Sequence, residues 1–309
     1  MLVSFIIPCY KSEATLPIVV EEISKLFKSQ TKYQYQIILS CDGSPDGTFE
    51  EIRKLCEKDQ SIIGINLSRN FGQQSARMAA IPHADGEYVV FMDDDGQHPV
   101  ANVFLLFDKL DAGFDIAYAG FIKKKHNFVH ILGSKLNSKI AEWLYGKPKN
   151  VHISSFFATK SFVVKEMQRY SSPNPYMLGY FLQITRNICT VQMEHKVRIA
   201  GKSGYTLSKL IKLWVQGFTS FSAVPLRFAS IIGSIISLAG FVWGIYLIIN
   251  KLINPLVAIG YTSTVAVILF IGGMTMLMLG LLGEYIARMF ISINNLPQFI
   301  VRERINAEK

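Results

Sequence analysis

Apolar residues in the first two thirds of the chain follow two alternating spacings. Short apolar runs ended by Pro, Gly or polar clusters predict strands at Val3–Ile7, Gln36–Ser40, Ile62–Leu67, Tyr88–Met92, Asp115–Tyr118, Ile153–Ala158 and Val191–Val197. Apolar residues three and four positions apart predict helices at Thr15–Phe27, Phe49–Lys58 and Gln73–Ile81. This order predicts an α/β fold with a mainly parallel, Rossmann-like sheet and helices on both faces.

The pattern after residue 204 is different, because long stretches there carry no charge. Tyr205–Phe221 has one apolar stripe, which suits a helix lying in a membrane interface or a helix packed on a protein core. Its position just before a spanning segment favours the interface. Phe228–Asn250 is uncharged and long enough to cross a hydrocarbon layer of ~30 Å, and a second span is predicted at about Thr262–Leu282. Two buried helices of a soluble core are the alternative.

Charges beside the predicted spans indicate their orientation. Arg227 precedes the first span, Arg288, Arg302 and Arg304 follow the second, and Lys251 lies between them. The excess of positive charge outside the loop predicts that both termini are cytoplasmic, at an inner membrane. The predicted organisation is an α/β domain at 1–204, a juxtamembrane helix at 205–225, a transmembrane hairpin at 226–290 and a tail at 291–309.

Composition narrows the class of partner. The net charge of +9 suits nucleic acid, an anionic membrane or phosphorylated substrates. No zinc-finger spacing, RNP motif or base-reading basic helix occurs, so nucleic acid is not expected. The four cysteines form no C-x-x-C pair, which predicts reduced thiols in a cytosolic compartment. Gly240-x-x-x-Gly244 allows close helix packing within the chain or between copies, so a homo-oligomer is a possible assembly.

The sharpest chemical signal is the acidic stretch Met92-Asp-Asp-Asp-Gly-Gln-His-Pro99, at the end of a predicted buried strand. Alternation along a strand points Asp93 and Asp95 to the same side. Two carboxylates there repel each other unless a cation neutralises them. Mg²⁺ or Mn²⁺ fits such a site, with diphosphate oxygens completing the shell and Gln97 as a further oxygen ligand. The alternative is an acidic helix-capping turn.

Polar residues at the other strand ends are candidate contacts for a nucleotide sugar. Asp42 could accept from a base or ribose, Tyr10 could stack on a base, and Arg69 could pair with phosphate. Each has an ordinary alternative as a turn or surface residue. The full set of predicted donor contacts is Pro8, Tyr10, Glu13, Asp42, Arg69 and Asp94.

A basic loop precedes the predicted interfacial helix. Arg198, Lys202 and Ser203, with a flexible Gly201 between them, could hold an acceptor phosphate at membrane level. The alternative is a solvated loop attracted to anionic lipid. The predicted catalytic residues are Asp95 and Arg198.

Four segments together resemble family 2 glycosyltransferases of the GT-A fold: Phe5-Ile-Ile-Pro-Cys-Tyr10, Cys41-Asp-Gly-Ser-Pro-Asp-Gly-Thr48, Leu67-Ser-Arg-Asn-Phe-Gly72 and Met92–Pro99. Three later segments resemble the polyprenyl-phosphate branch: Arg198-x-x-Gly-x-Ser203, Pro225-Leu-Arg227, and Leu279-Gly-Leu-Leu-Gly-Glu-Tyr-Ile286 with Arg288. That branch includes dolichol-phosphate mannose synthases, bactoprenol glucosyltransferases and undecaprenyl-phosphate aminoarabinose transferases.

The resemblance implies roles for individual residues. Asp42 and Tyr10 would help to hold the nucleotide. Asp93, Asp95 and Gln97 would hold the metal, and Arg198 and Ser203 would meet the acceptor phosphate. The chain departs from the family pattern at Cys41, where many members have Asp, and at Ile153–Ala158, where many have an acidic residue.

The expected activity is inverting, metal-assisted transfer of a sugar from a nucleotide donor to polyprenyl phosphate at the cytoplasmic membrane face. Phosphate monoesters have a second pKa of about 6, so the acceptor is mostly dianionic at neutral pH and needs no general base. Two alternatives stay open. One is a membrane glycosyltransferase that extends another glycan or lipid acceptor, and the other is a catalytically silent assembly subunit of a glycan pathway.

Overall fold

A computed structural model describes the chain at residues 1–121, 148–149, 151–194, 224–253, 260–294 and 296–307. Within these ranges the strands are β1 Leu2–Cys9, β2 Gln34–Cys41, β3 Ile62–Leu67, β4 Tyr88–Phe91, β5 Ile116–Phe121, β6 Phe157–Lys160, β7 Ile188–Met193 and β8 Val301–Ile305. The helices are α1 Leu16–Lys28, α2 Thr48–Lys58, α3 Gln73–Ala80, α4 Val103–Asp111, α5 Ser161–Met167, α6 Met177–Ile184, α7 Val224–Ile253 and α8 Tyr261–Ile293.

The strands form one sheet in the order β7-β5-β6-β4-β1-β2-β3-β8. β1 pairs in parallel with both β2 and β4, and β2 pairs in parallel with β3. The chain therefore builds outward from β1 to β3 and then crosses to the other side of β1 to add β4. In α/β sheets ligands bind beyond the carboxyl ends of the strands at such a reversal of strand order. Here that point lies between β1 and β4.

The predicted α/β fold is confirmed, and the sheet is mixed rather than wholly parallel. β6 runs antiparallel to both β4 and β5, and β8 runs antiparallel to β3. β5 and β7 are parallel to each other. The four strands whose ends bear the predicted site, β1 to β4, are neighbours in the sheet and all run parallel to one another.

Helix α1 illustrates why the periodicity was informative. Its buried residues are Leu16, Val19, Val20, Ile23 and Phe27, which recur at the spacing of one helical face. Pro17 lies in the first turn, where a missing backbone N–H costs nothing. Each large apolar side chain on this face contributes roughly 1.5–3 kcal/mol when fully buried. The face packs into the same core cluster as β1, so it fixes the strand that leads to the site.

Some elements differ from the sequence predictions. β6 begins at Phe157 rather than Ile153, because the hydroxyl of Ser154 donates to the carbonyl of Phe156 at 2.7 Å and turns the chain before the strand starts. Helices α5 and α6 and strand β8 were not predicted. β8 was expected to belong to a tail, since its sequence Val-Arg-Glu-Arg-Ile is largely charged. The predicted interfacial helix at Tyr205–Phe221 lies outside the described residues.

The chain divides into two compact units, one formed by Met1–Thr206 with Asn295–Lys309 and the other by Leu207–Asn294. In the second unit α7 has 30 residues and α8 has 33. Across the part of the chain that the structure describes, one segment, Phe270–Ala287 in α8, is long and apolar enough to cross a membrane. Its mean hydropathy is 1.5.

Candidate active site

The loops that follow β1, β2 and β4 are hydrogen-bonded to one another. The backbone N–H of Tyr10, after β1, donates to Asp94 Oδ2, after β4, at 3.1 Å. The N–H of Lys11 donates to Ser44 Oγ, after β2, at 2.8 Å. Lys11 has φ +55, a conformation that few residues other than glycine adopt. The loops after these three strands therefore meet at one edge of the sheet.

Glu13 makes a second tie between the loops after β1 and β2. Its carboxylate accepts from the backbone N–H of Gly47 at 3.2 Å. A Cβ at Gly47 would lie 2.8 Å from the Glu13 carboxyl, so a larger residue there would require the Glu13 carboxylate to move. Pro8 is buried within β1, and Tyr10 beyond it is 44% exposed. Of these three predicted donor contacts, Tyr10 and Glu13 are exposed and Pro8 is buried.

Asp42 supports the loop between β3 and α3. Its two carboxylate oxygens accept from the backbone N–H groups of Phe71 and Gly72 at 2.7 and 2.9 Å. Burial raises the pKa of Asp42, and these two hydrogen bonds act in the opposite direction. The carboxylate is 3% exposed, so its observed contacts are with the protein backbone. A contact between Asp42 and a nucleotide stays a prediction.

The same β3–α3 loop also lies directly against Gly43. Gly43 has φ +57, and a Cβ there would come within 2.3 Å of the backbone carbonyl carbon of Arg69. Arg69 itself is exposed and lies over the ring of Phe71, with the guanidinium carbon 4.4 Å from the ring centroid. The predicted phosphate contact is thus an exposed guanidinium on a loop whose backbone is tightly held.

The acidic turn after β4 is anchored by α3. Asp93 Oδ1 accepts from Gln73 Nε2 at 2.7 Å and from Arg77 Nη2 at 2.9 Å. Burial acts to raise the pKa of Asp93, but the Arg77 guanidinium and hydrogen bonds from Ser155 and Gln73 outweigh it and hold the pKa below its usual value. Asp93 is therefore ionised at neutral pH, and Arg77 is its buried counter-ion.

A buried histidine completes this network. The backbone N–H of Asp93 donates to His98 Nδ1 at 3.0 Å, so Nδ1 is the unprotonated ring nitrogen. His98 Nε2 lies 3.3 Å from Ser155 Oγ and 3.7 Å from Asp93 Oδ2. The ring stacks between Phe121 and Phe156, at centroid distances of 6.0 and 5.0 Å. His98 thus links the acidic turn to the segments around β5 and β6.

Sequence reasoning gave no role to Gln73, Arg77, His98 or Ser155. Gln73 and Arg77 are four residues apart on α3 and share a face, which is the signal that could have paired them with a strand-end carboxylate. Ser155 lies in the segment where an acidic residue is common in the family.

The predicted metal ligands Asp93, Asp95 and Gln97 all lie in the turn after β4. Asp95 Oδ1 accepts from the N–H of Gln97 at 3.1 Å, so the two residues share one tight turn. Among the residues with described positions, no group of three or more His, Cys, Asp or Glu side chains has metal-binding geometry. Two carboxylates and an amide oxygen still form a hard oxygen donor set that suits Mg²⁺ or Mn²⁺. Asp93 would share its charge between the cation and Arg77.

The predicted acceptor residues Arg198, Lys202 and Ser203 lie outside the described residues. The structure therefore bears on the donor side of the predicted site.

Asp94 gives a pH-dependent prediction. Burial and the charge of Asp93 raise its pKa to about 6, against a hydrogen bond from the Tyr10 N–H that lowers it. The folded state thus holds this proton more tightly than the unfolded state, whose Asp pKa is about 3.9. The associated stability is present below about pH 4 and is lost as the pH rises through about 6.

Asp94→Asn removes the charge and keeps an acceptor for the Tyr10 N–H. We expect its unfolding temperature to exceed that of the wild type by more at about pH 7.5 than at about pH 4.5. Thermal unfolding of both proteins in EDTA at the two pH values measures this. An equal difference in unfolding temperature between the two proteins at both pH values would contradict the raised pKa of Asp94.

Family models match this arrangement in both parts of the chain. Residues 4–167 match Glycosyl transferase family 2, and residues 224–289 match the GtrB C-terminal hairpin. The chain belongs to glycosyl transferase family 2. It is therefore a glycosyltransferase, and the resemblance seen in its motifs is confirmed.

Full-length relatives agree. The SfII prophage-derived bactoprenol glucosyl transferase of Shigella flexneri is 30% identical over 310 residues, which cover 98% of this glycosyltransferase and 98% of the relative. The undecaprenyl-phosphate 4-deoxy-4-formamido-L-arabinose transferase of Yersinia enterocolitica is 29% identical, over 99% of this chain and 94% of the relative. Both alignments run through the catalytic unit and the hairpin.

A solved structure shares the fold. Glucosyl-3-phosphoglycerate synthase from Mycobacterium tuberculosis, crystallised with Mn²⁺, UDP-glucose and phosphoglyceric acid, superposes with a TM-score of 0.52 at 18% identity. The match covers 70% of this chain and 76% of that one.

Proposed function

We propose that this glycosyltransferase moves a sugar from a nucleotide donor to a polyprenyl phosphate at the cytoplasmic face of a membrane, with inversion at the anomeric carbon. The observation that carries the proposal is similarity over 98% of the chain to a bactoprenol glucosyl transferase, including the hairpin that follows the catalytic unit. An enzyme acting on soluble acceptors would have no need of that hairpin.

The donor would bind where the loops after β1 to β4 converge. Tyr10 and Arg69 have exposed side chains there, suited to a base and a phosphate respectively. Asp42, Glu13 and Asp94 hold the surrounding loops through backbone N–H groups. Asp93, Asp95 and Gln97 would hold Mg²⁺ or Mn²⁺, which when bound neutralises charge on the leaving nucleoside diphosphate.

No side-chain base is required for the acceptor. A lipid phosphate oxygen is already ionised at neutral pH, so the chain has only to orient it and to balance its charge. The segment at Ile153–Ala158 presents Ser155, bound to His98, rather than a carboxylate. Arg198, Lys202 and Ser203 are the proposed acceptor-phosphate residues.

The pairing of β8 with β3 supports a membrane hairpin. Residues on both sides of the Leu207–Asn294 unit belong to one hydrogen-bonded sheet, so they lie on one side of any membrane. A chain that enters the bilayer after residue 206 must therefore cross it an even number of times. This favours two spans, in α7 and α8, with both termini cytoplasmic.

Lipid-product analysis tests the proposal. Purified full-length protein in detergent with Mn²⁺ is incubated with undecaprenyl phosphate and a panel of nucleotide sugars, and the lipids are analysed by mass spectrometry. We expect a product heavier than the acceptor by one sugar with at least one donor, and none with undecaprenol, which lacks the phosphate. Transfer to undecaprenol or to an existing glycan, but not to undecaprenyl phosphate, would refute the proposed acceptor. Failure of every donor would favour a silent assembly subunit.

A further inference from the structure

The C-terminal segment, residues 296–307, contacts the loop between β3 and α3, residues 68–72, which we call the donor loop. The backbone N–H of Ser68 donates to the carbonyl of Ile300 at 2.8 Å, and the carbonyl of Ser68 accepts from Arg302 Nη2 at 3.2 Å. Both backbone polar groups of Ser68 are therefore bonded to residues that follow the hairpin. Ser68 immediately precedes Arg69, the exposed guanidinium at the crevice.

Arg302 lies at an irregularity in the strand pairing. Leu67 pairs with Val301 and Asn66 pairs with Glu303, so Arg302 is an extra residue on β8 with no partner residue on β3. A bulge of this kind bends the strand locally and redirects the extra side chain. Here that side chain is directed to the backbone of the loop just beyond β3.

The rest of the segment is anchored without Arg302. Gln298 Nε2 donates to the carbonyl of Ser172 at 2.8 Å. Asn306 Nδ2 donates to the carbonyls of Cys56 and Ile62, each at 2.9 Å. These bonds lie on either side of the bulge, so the strand would keep its place if the Arg302 side chain were removed.

The donor loop is thus held from two directions. Asp42 binds the N–H groups of Phe71 and Gly72 from the β2 side, and the C-terminal segment binds Ser68 from the edge of the sheet. Arg69 lies between these attachment points. Because these bonds hold the backbone on both sides of Arg69, they set the position and direction from which its side chain leaves the loop.

We propose that Arg302 is a positioning residue for the nucleotide donor: it fixes the Ser68 carbonyl, and through it the direction in which Arg69 meets the donor diphosphate. This inference rests on the proposed function, since it assumes that Arg69 contacts the donor. It also makes the donor loop depend on the segment that returns from the hairpin.

Arg302→Ala and Arg304→Ala form a matched pair for the test. Both arginines are exposed, lie two residues apart on β8 and carry the same charge. Among the described contacts, no hydrogen bond joins Arg304 to the loop at residues 68–72. Two measurements are made on the full-length protein: amide hydrogen exchange of peptides covering residues 66–72, and binding of a panel of nucleoside diphosphates with Mn²⁺ by calorimetry.

We expect Arg302→Ala to speed amide exchange in the donor loop and to weaken nucleoside diphosphate binding by roughly three- to tenfold. The reason is that it removes the hydrogen bond from the Arg302 guanidinium to the Ser68 carbonyl. Arg304→Ala should match the wild type in both, and Arg302→Lys should recover part of the loss. Equal exchange in the two alanine variants would overturn the proposal. So would faster exchange with unchanged affinity. If the wild type bound no nucleoside diphosphate, the proposed function would fail, while the exchange data would still decide whether Arg302 holds the loop.

Discussion

Replacing Asp95 by Asn is expected to remove most sugar transfer while leaving the fold intact. Asp95 lies on the turn after β4, and its Oδ1 accepts from the N–H of Gln97 at 3.1 Å. An asparagine oxygen can accept the same hydrogen bond, so the substitution removes a charge and little else. The charge that is removed would hold the cation, and the cation would neutralise the leaving diphosphate.

The size of the effect follows from that role. Charge stabilisation by a bound metal contributes several kcal/mol to a transition state, and each 1.36 kcal/mol is a factor of ten in rate. Losing one of two carboxylate ligands should therefore lower the rate by about 10² to 10³. Donor binding should weaken as well, because the diphosphate completes the same coordination shell.

Initial rates with undecaprenyl phosphate, across a range of Mn²⁺ concentrations, measure this effect. Asp108→Asn is the matched control, because Asp108 is an exposed carboxylate on α4 and should leave the rate unchanged. A rate above about a tenth of the wild-type value for Asp95→Asn would show that this carboxylate is not a metal ligand that the reaction needs.

The parts of the fold that sequence patterns predicted are those governed by local spacing. β1 to β4 and α1 to α3 have apolar residues at the period of their own element, and each ends at a polar cluster or a glycine. Because parallel strands share one carboxyl edge, the convergence of their loops followed from the order of elements alone. No contact between distant residues had to be known.

Strand β8 could not be predicted in this way. Its pairing partner, β3, lies more than two hundred residues earlier, and its own sequence is an alternation of Val, Arg, Glu, Arg and Ile. That composition is typical of a solvated tail. At the edge of a sheet, however, exposed charges are favoured because they discourage pairing with other chains. Only the three-dimensional pairing decides between the two interpretations.

In the site, too, local patterns predicted some features, while others depend on contacts between distant residues. The acidic turn and the strand ends were found from residue type, but the partners of Asp93 were not. Arg77 reads as an ordinary solvated arginine on a short helix, whereas it is 5% exposed and bound to Asp93. Asp42 shows the converse, because a carboxylate typical of a ligand contact is bonded to two backbone N–H groups. Which polar group faces the crevice depends on packing that the sequence does not encode locally.

Arg77→Met should destabilise the catalytic unit strongly. The ion pair between Arg77 and Asp93 has an N–O distance of 2.9 Å, with side-chain exposures of 6% and 23%. Methionine fills similar volume but leaves the Asp93 carboxylate without its cation. Removing one partner of a buried pair typically costs 3–5 kcal/mol, and partial exposure of Asp93 should reduce this to about 2–3 kcal/mol.

Arg53→Met provides the comparison. Arg53 and Glu303 are 2.7 Å apart, but their side chains are 46% and 37% exposed. An exposed pair contributes about 0–1 kcal/mol, so this variant should unfold close to the wild type. Denaturant unfolding of the full-length proteins in detergent, without metal, measures both. Similar losses in the two variants would contradict the assignment of Arg77 as a buried counter-ion.

The double variant Arg77→Met with Asp93→Asn separates charge from packing. If the loss arises from an unpaired carboxylate, neutralising Asp93 should restore at least half of it, because replacing both partners of a buried pair is far less costly than removing one. If the double variant is as unstable as Arg77→Met, the loss comes from the packing around α3 instead. Recovery of stability without recovery of sugar transfer is the combined result we expect, since Asp93 would then be absent from the proposed metal site while the helix that supports it is intact.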